Sequence, residues 1–160
     1  MFREIRRKKQ LLPEETALEL LKRNTSGTLA LLGDDGYPYA VPLSYVYLDG
    51  KLYFHSAKNG HKIDAVRNYE KASFCVIDSD QIVPEKFTTH YRSVIVFGKV
   101  RLIEDVEEMR SIAAALAMKY SGDFAEQIPD EFNAYVNNLV IIEMTIEHMT
   151  AKGALSLVNT

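Results

Sequence analysis

The residues best suited to chemistry lie in one short run, His55-Ser56-Ala57-Lys58-Asn59-Gly60-His61-Lys62. The run leaves an alternating apolar stretch, passes through a glycine and enters a segment with helical spacing. A turn of this kind can hold an anion, because helix-start N–H groups, a serine hydroxyl and cationic side chains converge there. Lys62 is the leading phosphate contact, since an ammonium presents three donors on a long mobile stem. Gly60 lets backbone approach a ligand or simply makes the turn. His61 adds a donor without needing a charge. The same residues also suit an ordinary polar turn with a solvated lysine, and the pattern is weaker than a nucleotide-binding P-loop.

Two further segments can serve a flat ligand. Val41-Pro42-Leu43-Ser44-Tyr45 offers backbone polar groups beside apolar and aromatic surface, the combination a planar ring needs. Tyr37, Tyr39, Tyr45, Tyr47 and Tyr53 can add walls, although tyrosines alternating in strands commonly just pack. Arg92 and Ser93 open a long apolar strand; the arginine fork suits a phosphate, a polar ring edge or a plain surface ion pair.

The elements that must position these residues are mostly strands. Pro13 and Glu14 open a helix whose apolar members include Ala17, Leu18, Leu20 and Leu21, with proline and acids suited to its first turn. Thr28–Leu32 reads as a strand, Gly33-Asp34-Asp35-Gly36 as a hairpin turn, and Tyr37–Leu48 as one long strand. Asp49-Gly50 is a strong two-residue turn into Lys51–Ser56. Pro38 and Pro42 each remove a ladder donor, which points to an edge or a bulge. A short helix follows over Gly60–Asn68, with Ile63 and Val66 inward, then a strand over Ser73–Ile77. Asp78–His90 reads as irregular and polar. Tyr91–Ile103 carries Val94, Val96, Val100 and Leu102 on one parity, with Gly98 a candidate bulge. Val106, Met109, Ile112, Ala113, Leu116 and Ala117 mark an amphipathic helix. Leu139–Ile146 is the last strand, followed by a polar tail to Thr160. The sum is a mainly β, six-stranded antiparallel barrel with peripheral helices.

Composition bounds the function. The chain has 160 residues, 47% of them hydrophobic, which fits a single globular domain. Nineteen basic against 22 acidic residues leave a net charge of -3, unlike the positive field of a nucleic-acid binder. One basic cluster, Arg3, Arg6, Arg7, Lys8 and Lys9, suits a solvated N-terminus or a polyanion contact. No apolar run follows it as in a secretory signal, and none reaches the length of a membrane span. Cys75, the only cysteine, sits in an apolar run and reads as a buried thiol in a reducing cytoplasm. The histidines His55, His61, His90 and His148 lack compact metal-ligand spacing.

Taken together, Gly36–Pro42, Leu52–Ala57, Gly60-His61-Lys62, Tyr91–Gly98 and Ile146–Gly153 resemble the FMN-binding split-barrel family. The likeness is to its pyridoxamine 5'-phosphate oxidase-like branch with nitroimidazole-resistance-like members, and it spans roughly residues 10–155 of one domain covering 1–160. The resemblance implies FMN bound at the interface of a homodimer. Val41, Pro42, Leu43 and Ser44 would lie along the isoalloxazine, and His55, Ser56 and Ala57 toward the ribityl-phosphate end. Gly60, His61 and Lys62 would hold the phosphate, with Arg92 and Ser93 supplied by the partner subunit. It also implies a histidine near the flavin, His55 or His61, able to supply a proton. The expected activity is a flavin-dependent reduction of nitroaromatic or other small planar compounds, with NADH or NADPH as donor. A non-catalytic FMN-binding protein is the alternative. The charged C-terminal recognition pattern of authentic pyridoxamine phosphate oxidases is absent.

Overall fold

The computed structural model describes residues 1–158, and Asn159 and Thr160 lie outside it. Seven antiparallel strands form one sheet: β1 (Ser26–Leu32), β2 (Pro38–Ser44), β3 (Val46–Leu48), β4 (Lys51–Ala57), β5 (Lys71–Val83), β6 (Thr88–Ile103) and β7 (Leu139–Gly153). Their spatial order is β2-β1-β5-β6-β7-β4-β3. The strands at the two ends of that order are joined by Tyr45 alone. Since consecutive Cα atoms are about 3.8 Å apart, the opposite edges of the sheet meet at this residue. The sheet therefore curls around until it nearly closes.

This corner corrects the expected strand count from six to seven. The stretch read as one strand over Tyr37–Leu48 is two, because Tyr45 leaves both ladders. Its N–H donates to the Tyr120 hydroxyl (2.9 Å), and its carbonyl accepts from Lys119 Nζ (3.0 Å). Its own hydroxyl donates to the Leu21 carbonyl at 2.5 Å. Every polar group that left the sheet has found a partner, as a buried backbone requires. Pro38 and Pro42 do lie on an edge strand, β2.

Two other boundaries differ from expectation. Asp78–His90 is not irregular: β5 and β6 pair through Val83↔Thr88, joined by a 3-10 turn at Pro84–Lys86 with Phe87 left-handed at φ 48°. β7 runs on to Gly153 because Ile146–Gly153 pairs with Arg92–Gly98, a partnership no local pattern announces. The bulge expected at Gly98 is present. Phe97 faces His148 and Gly98 faces Ile146, so Glu147 is the extra residue. A Cβ at Gly98 would sit 2.1 Å from the Thr145 carbonyl oxygen.

Strand parity sorts side chains into two cores. Inside the curl, Leu29, Phe54, Phe74, Val94, Val96, Ile142 and Met144 meet Leu20 and Leu21 of α1 (Glu14–Arg23) and Ile63 and Val66 of α2 (His61–Asn68). Outside it, Val46, Tyr53, Ile103 and Ile141 meet Met109, Ile112 and Leu116 of α3 (Val106–Ser121) and Phe132 of α4 (Ile128–Tyr135). The run Leu139-Val140-Ile141-Ile142 is apolar on both parities because both faces are covered. Asp105 caps α3 by accepting from the Glu108 N–H (2.9 Å). No sequence expectation covers α4, although Pro129 with Asp130 and Glu131 is a recognisable helix start. Cys75 is half-buried on the outer parity rather than fully enclosed, and burial pushes its thiol up. Among the described residues, no helix is long and apolar enough to cross a membrane.

A second bulge ties α1 to the sheet. Ile77 faces Ser93 and Ser79 faces Arg92, leaving Asp78 as the extra residue. Its carboxylate accepts from Arg23 Nε (2.8 Å), Arg23 Nη2 (2.6 Å) and Asn24 Nδ2 (2.8 Å). The Arg23 hydrogen bonds, against a counteracting burial, hold Asp78 below the ordinary carboxylate range. A carboxyl lowered in the folded state stabilises above its unfolded pKa, and the gain disappears as pH falls through the folded value. Asp78→Ala should therefore cost about 1–3 kcal/mol near neutrality, as for a hydrogen bond to a charged group. The difference from wild type should shrink on acidification, measured by urea unfolding from pH 7 to pH 3.

Candidate functional site: a cleft between the barrel and the α3–α4 cap

On β4, Leu52, Phe54 and Ser56 point into the barrel, and Tyr53, His55 and Ala57 point the other way. The outward row meets α3 and α4. Near the corner the helices stand off from the sheet, leaving a cleft of about 790 Å³. Ser44, His55, Ser56 and Ala57 line its sheet side. Leu116 and Tyr120 of α3, Phe124 of the connecting turn, and Phe132 and Tyr135 of α4 line the other. Glu131 is the only formally charged residue of the lining, and His55 lies on the sheet side.

The cap is fixed to the corner by the end of α3. Lys119 Nζ donates to the Asn24 carbonyl (2.5 Å) and lies 4.1 Å from the Tyr45 ring centroid, so a cation–π contact adds to its two carbonyl bonds. Burial lowers its pKa. The Tyr120 hydroxyl accepts from the Tyr45 N–H and lies within bonding reach of the Thr25 and Tyr45 carbonyls. The ring that lines the cleft is thus anchored by its own hydroxyl.

Beneath the cap, Glu143 of β7 is only 3% exposed and sits opposite both Tyr53 and Arg101. It accepts from Arg101 Nε (2.7 Å) and Nη2 (3.2 Å), with Lys51 Nζ at 3.2 Å. Burial works to raise its pKa, but Arg101 and Lys51 outweigh it and the carboxyl stays low. Tyr53 is pushed up to about 12 by burial and by the neighbouring Glu143 charge. This set is satisfied within itself and does not line the cleft.

The Gly60-His61-Lys62 turn follows the end of the same strand. Gly60 adopts φ 127°, open to glycine and strained for any other residue, and its carbonyl takes the N–H groups of Ile63 (2.9 Å) and Asp64 (3.1 Å). The amides of His61 and Lys62 remain as orphan donors of the first helical turn. Lys62 is half-buried and has no hydrogen-bond or ion-pair partner among the described residues. Burial holds its ammonium below the ordinary lysine value. An unsatisfied cation beside orphan amides fits a phosphate group.

The remaining expected residues divide. His61 does not reach the cleft: its ring stacks on Tyr39 (4.1 Å between centroids), and Nε2 accepts from the Asp34 N–H at 3.3 Å. Val41 and Leu43 pack toward the barrel interior, whereas Pro42 and Ser44 face outward on the unpaired side of the sheet. Ser56 points inward, its hydroxyl donating to the Ala57 carbonyl (3.0 Å). Arg92 and Ser93 are remote from the cleft within one chain. Ala57 pairs with Leu139 at one end of β7 and Arg92 with Gly153 at the other. That separation is about 45 Å of strand at ~3.3 Å per residue. Arg92 instead donates to the Leu157 carbonyl (3.0 Å).

Sequence reasoning missed the cap's aromatic lining, Tyr120, Phe124, Phe132 and Tyr135. A signal existed, since Phe132 and Tyr135 are three apart and share a helix face.

The fold recurs in known structures. A candidate 5-nitroimidazole antibiotic resistance protein from Bacteroides thetaiotaomicron is 23% identical with a TM-score of 0.74, covering 89% of this chain and 85% of its own. A conserved hypothetical protein from Mycobacterium tuberculosis reaches a TM-score of 0.81 at 19% identity, covering 94% and 90%. An FAD-binding protein from Mesorhizobium loti is 27% identical with a TM-score of 0.67, covering 91% and 97%. No curated protein sequence matches the chain. The family model described as pyridoxamine 5'-phosphate oxidase matches residues 13–153, almost the whole barrel with its cap. By its curled sheet and that match, the chain belongs to the pyridoxamine 5'-phosphate oxidase-like family of FMN-binding split barrels.

Proposed function

We propose that this protein is an FMN-dependent oxidoreductase that reduces nitroaromatic or other small planar compounds with electrons from NADH or NADPH. The observation that carries the reading is an aromatic-walled cleft opening on the strand that leads into the Lys62 turn. Lys62 and the first-turn amides of α2 would hold the phosphate, with Pro42 and Ser44 on the open β2 edge toward the ring. FMN, when bound, supplies the two-electron chemistry, for which no side chain here is suited.

The chain's own residues supply binding, water exclusion and proton handling. Tyr120, Phe124 and Tyr135 favour a flat apolar guest over a strongly hydrated one. His55 faces the cleft and has no hydrogen-bond partner among the described residues, so it can carry a proton to a bound acceptor. His61 is tied to Asp34 and Tyr39, which favours a part in orienting the turn.

A homodimer completes the reading. Ile77 (64% exposed), Ile95 and Phe97 form an apolar patch on the outer face of β5 and β6. Such a patch suits a second copy, and a second copy would explain how Arg92 and Ser93 could serve a flavin they cannot reach in their own chain. With a lone half-buried thiol and no disulfide possible within the chain, we place the protein in the cytoplasm.

The activity is tested by mixing FMN-loaded protein anaerobically with NADH or NADPH, then with a nitroaromatic acceptor. Bleaching of the oxidised flavin followed by recovery on addition of acceptor supports it. An unbleached flavin at high concentrations of both donors defeats the nicotinamide-dependent version and leaves a binding protein. Sedimentation across protein concentrations, with and without FMN, tests the shared site; a monomer that keeps full FMN affinity contradicts it.

A further inference from the structure

The basic N-terminal run plays no part in the cleft. Its Arg7 instead lines a second cavity, about 400 Å³, beside the β5–β6 hairpin. Three segments remote in sequence build it: the 3-10 turn at Lys8–Gln10 with Arg7 before it, the hairpin from Lys86 to Tyr91, and Ala154–Ser156 beyond β7. Backbone bonds hold them together. Leu12 N–H donates to the Ala151 carbonyl (2.9 Å) and Ala154 N–H to the Tyr91 carbonyl (2.9 Å). The Tyr91 hydroxyl donates to Gln10 Oε1 at 3.3 Å, closing one wall.

The formally charged lining is of one sign. Arg7, Lys86 and His90 face the cavity, with hydroxyls from Thr88 and Ser156, and no carboxylate is among the described lining residues. Glu4, the acid nearest Arg7 in sequence, is engaged with Lys8 at 3.0 Å. Neither Arg7 nor Lys86 has an ion-pair partner among the described residues. On a chain of net charge -3, a concave site with two unbalanced cations selects an anion, and the arginine fork favours a phosphate. Pockets that take small molecules run from about 300 Å³ upward, so a phosphate alone would leave most of this one empty.

We propose that this cavity is a second anion site, distinct from the flavin cleft, that takes the phosphate of a small phosphorylated molecule of nucleotide size. Arg7 and Lys86 pair with the phosphate oxygens. The Thr88 and Ser156 hydroxyls donate to them, and the rest of the cavity receives the organic part. Occupancy joins the hairpin to the N-terminus through a shared counter-ion.

The test uses the full chain saturated with FMN, so that the flavin site is filled. Inorganic phosphate, AMP and adenosine are titrated in turn while backbone amide shifts are followed. AMP should saturate with shifts at Arg7, Thr88, Thr89, His90 and Ser156, phosphate should move the same signals more weakly, and adenosine should move none. The double variant Arg7→Ala/Lys86→Ala should weaken AMP at least about tenfold, the scale of a lost charged hydrogen bond. Lys86→Ala alone, at an exposed hairpin turn, should weaken it about threefold or more, and a distant control, Lys71→Ala, should change it less than about twofold. Four results would overturn the proposal: adenosine binding as well as AMP, shifts rising linearly over many surface cations, a double variant of unchanged affinity, or loss of AMP binding in FMN-saturated protein.

Discussion

Replacing Lys62 with alanine is expected to weaken FMN about 10- to 100-fold while changing riboflavin less than about threefold, because only the phosphate is lost as a partner. Lys62 is half-buried and without a partner, and burial alone holds its pKa below the ordinary lysine value. A phosphate placed against it would supply the missing counter-charge, and the orphan amides of His61 and Lys62 would add two donors. On that placement FMN binding and Lys62 protonation would be linked, each favouring the other.

That linkage has a signed pH dependence. Below its folded pKa, Lys62 is charged and FMN has its cation. As pH rises through that lowered value the charge is lost, and the advantage of FMN over riboflavin should decline at a pH below the ordinary lysine range. In the ligand-free protein the effect on stability runs the other way: the unfolded chain holds the proton longer, so stability rises as pH climbs through this interval. Parallel fluorescence titrations with both ligands from pH 7 to pH 11 would show the ratio falling. Equal losses for both in Lys62→Ala, or a flat ratio, would remove Lys62 from the phosphate site.

Phe74→Ala should be the most damaging single truncation of the barrel, costing about 3–5 kcal/mol. Phe74 has no exposed surface and stands edge-on to two rings, Tyr45 at 4.9 Å and Phe54 at 5.0 Å between centroids. It thereby connects β5 with β4 and with the corner residue that joins the two edges of the sheet. Its ring also closes over Gly27, where a Cβ would lie 2.4 Å from Cζ. Shrinking Phe74 leaves a cavity that strands on both sides cannot fill without breaking their ladders. For a chain of this length the thermal midpoint should drop by roughly 6–20 °C. Because Tyr45 also anchors α3, FMN retention should fall with stability. A drop of less than about 2 kcal/mol, which would mean that the curl can collapse onto the gap, would contradict the packing described here.

Several features were legible without coordinates because they depend on neighbours in sequence. The Asp49-Gly50 turn has φ 45° and 80°, as its residue types require, and the parity of Val94, Val96 and Val100 sorts them inward as alternation dictates. The helix starts at Glu14 and His61 follow from proline and glycine placed ahead of them. The Gly60-to-Lys62 turn belongs to the same class, since its donors are adjacent residues.

Other features depend on partners distant in the chain. The break at Tyr45 is decided by Lys119 and Tyr120, some 75 residues later, which satisfy its backbone once it leaves the sheet. The length of β7, the hairpin through Pro84 and the separation of Arg92 from the cleft all rest on strand register, which no single strand encodes. His55 and His61 look equivalent as neighbours in sequence, yet one faces the cleft and the other a tyrosine ring. Local residue types chose the turns, the helix starts and the inward faces through φ/ψ preference and alternation. Which surfaces enclose a cleft was left to the closure of the sheet, because burial is a property of the assembled barrel and its cap.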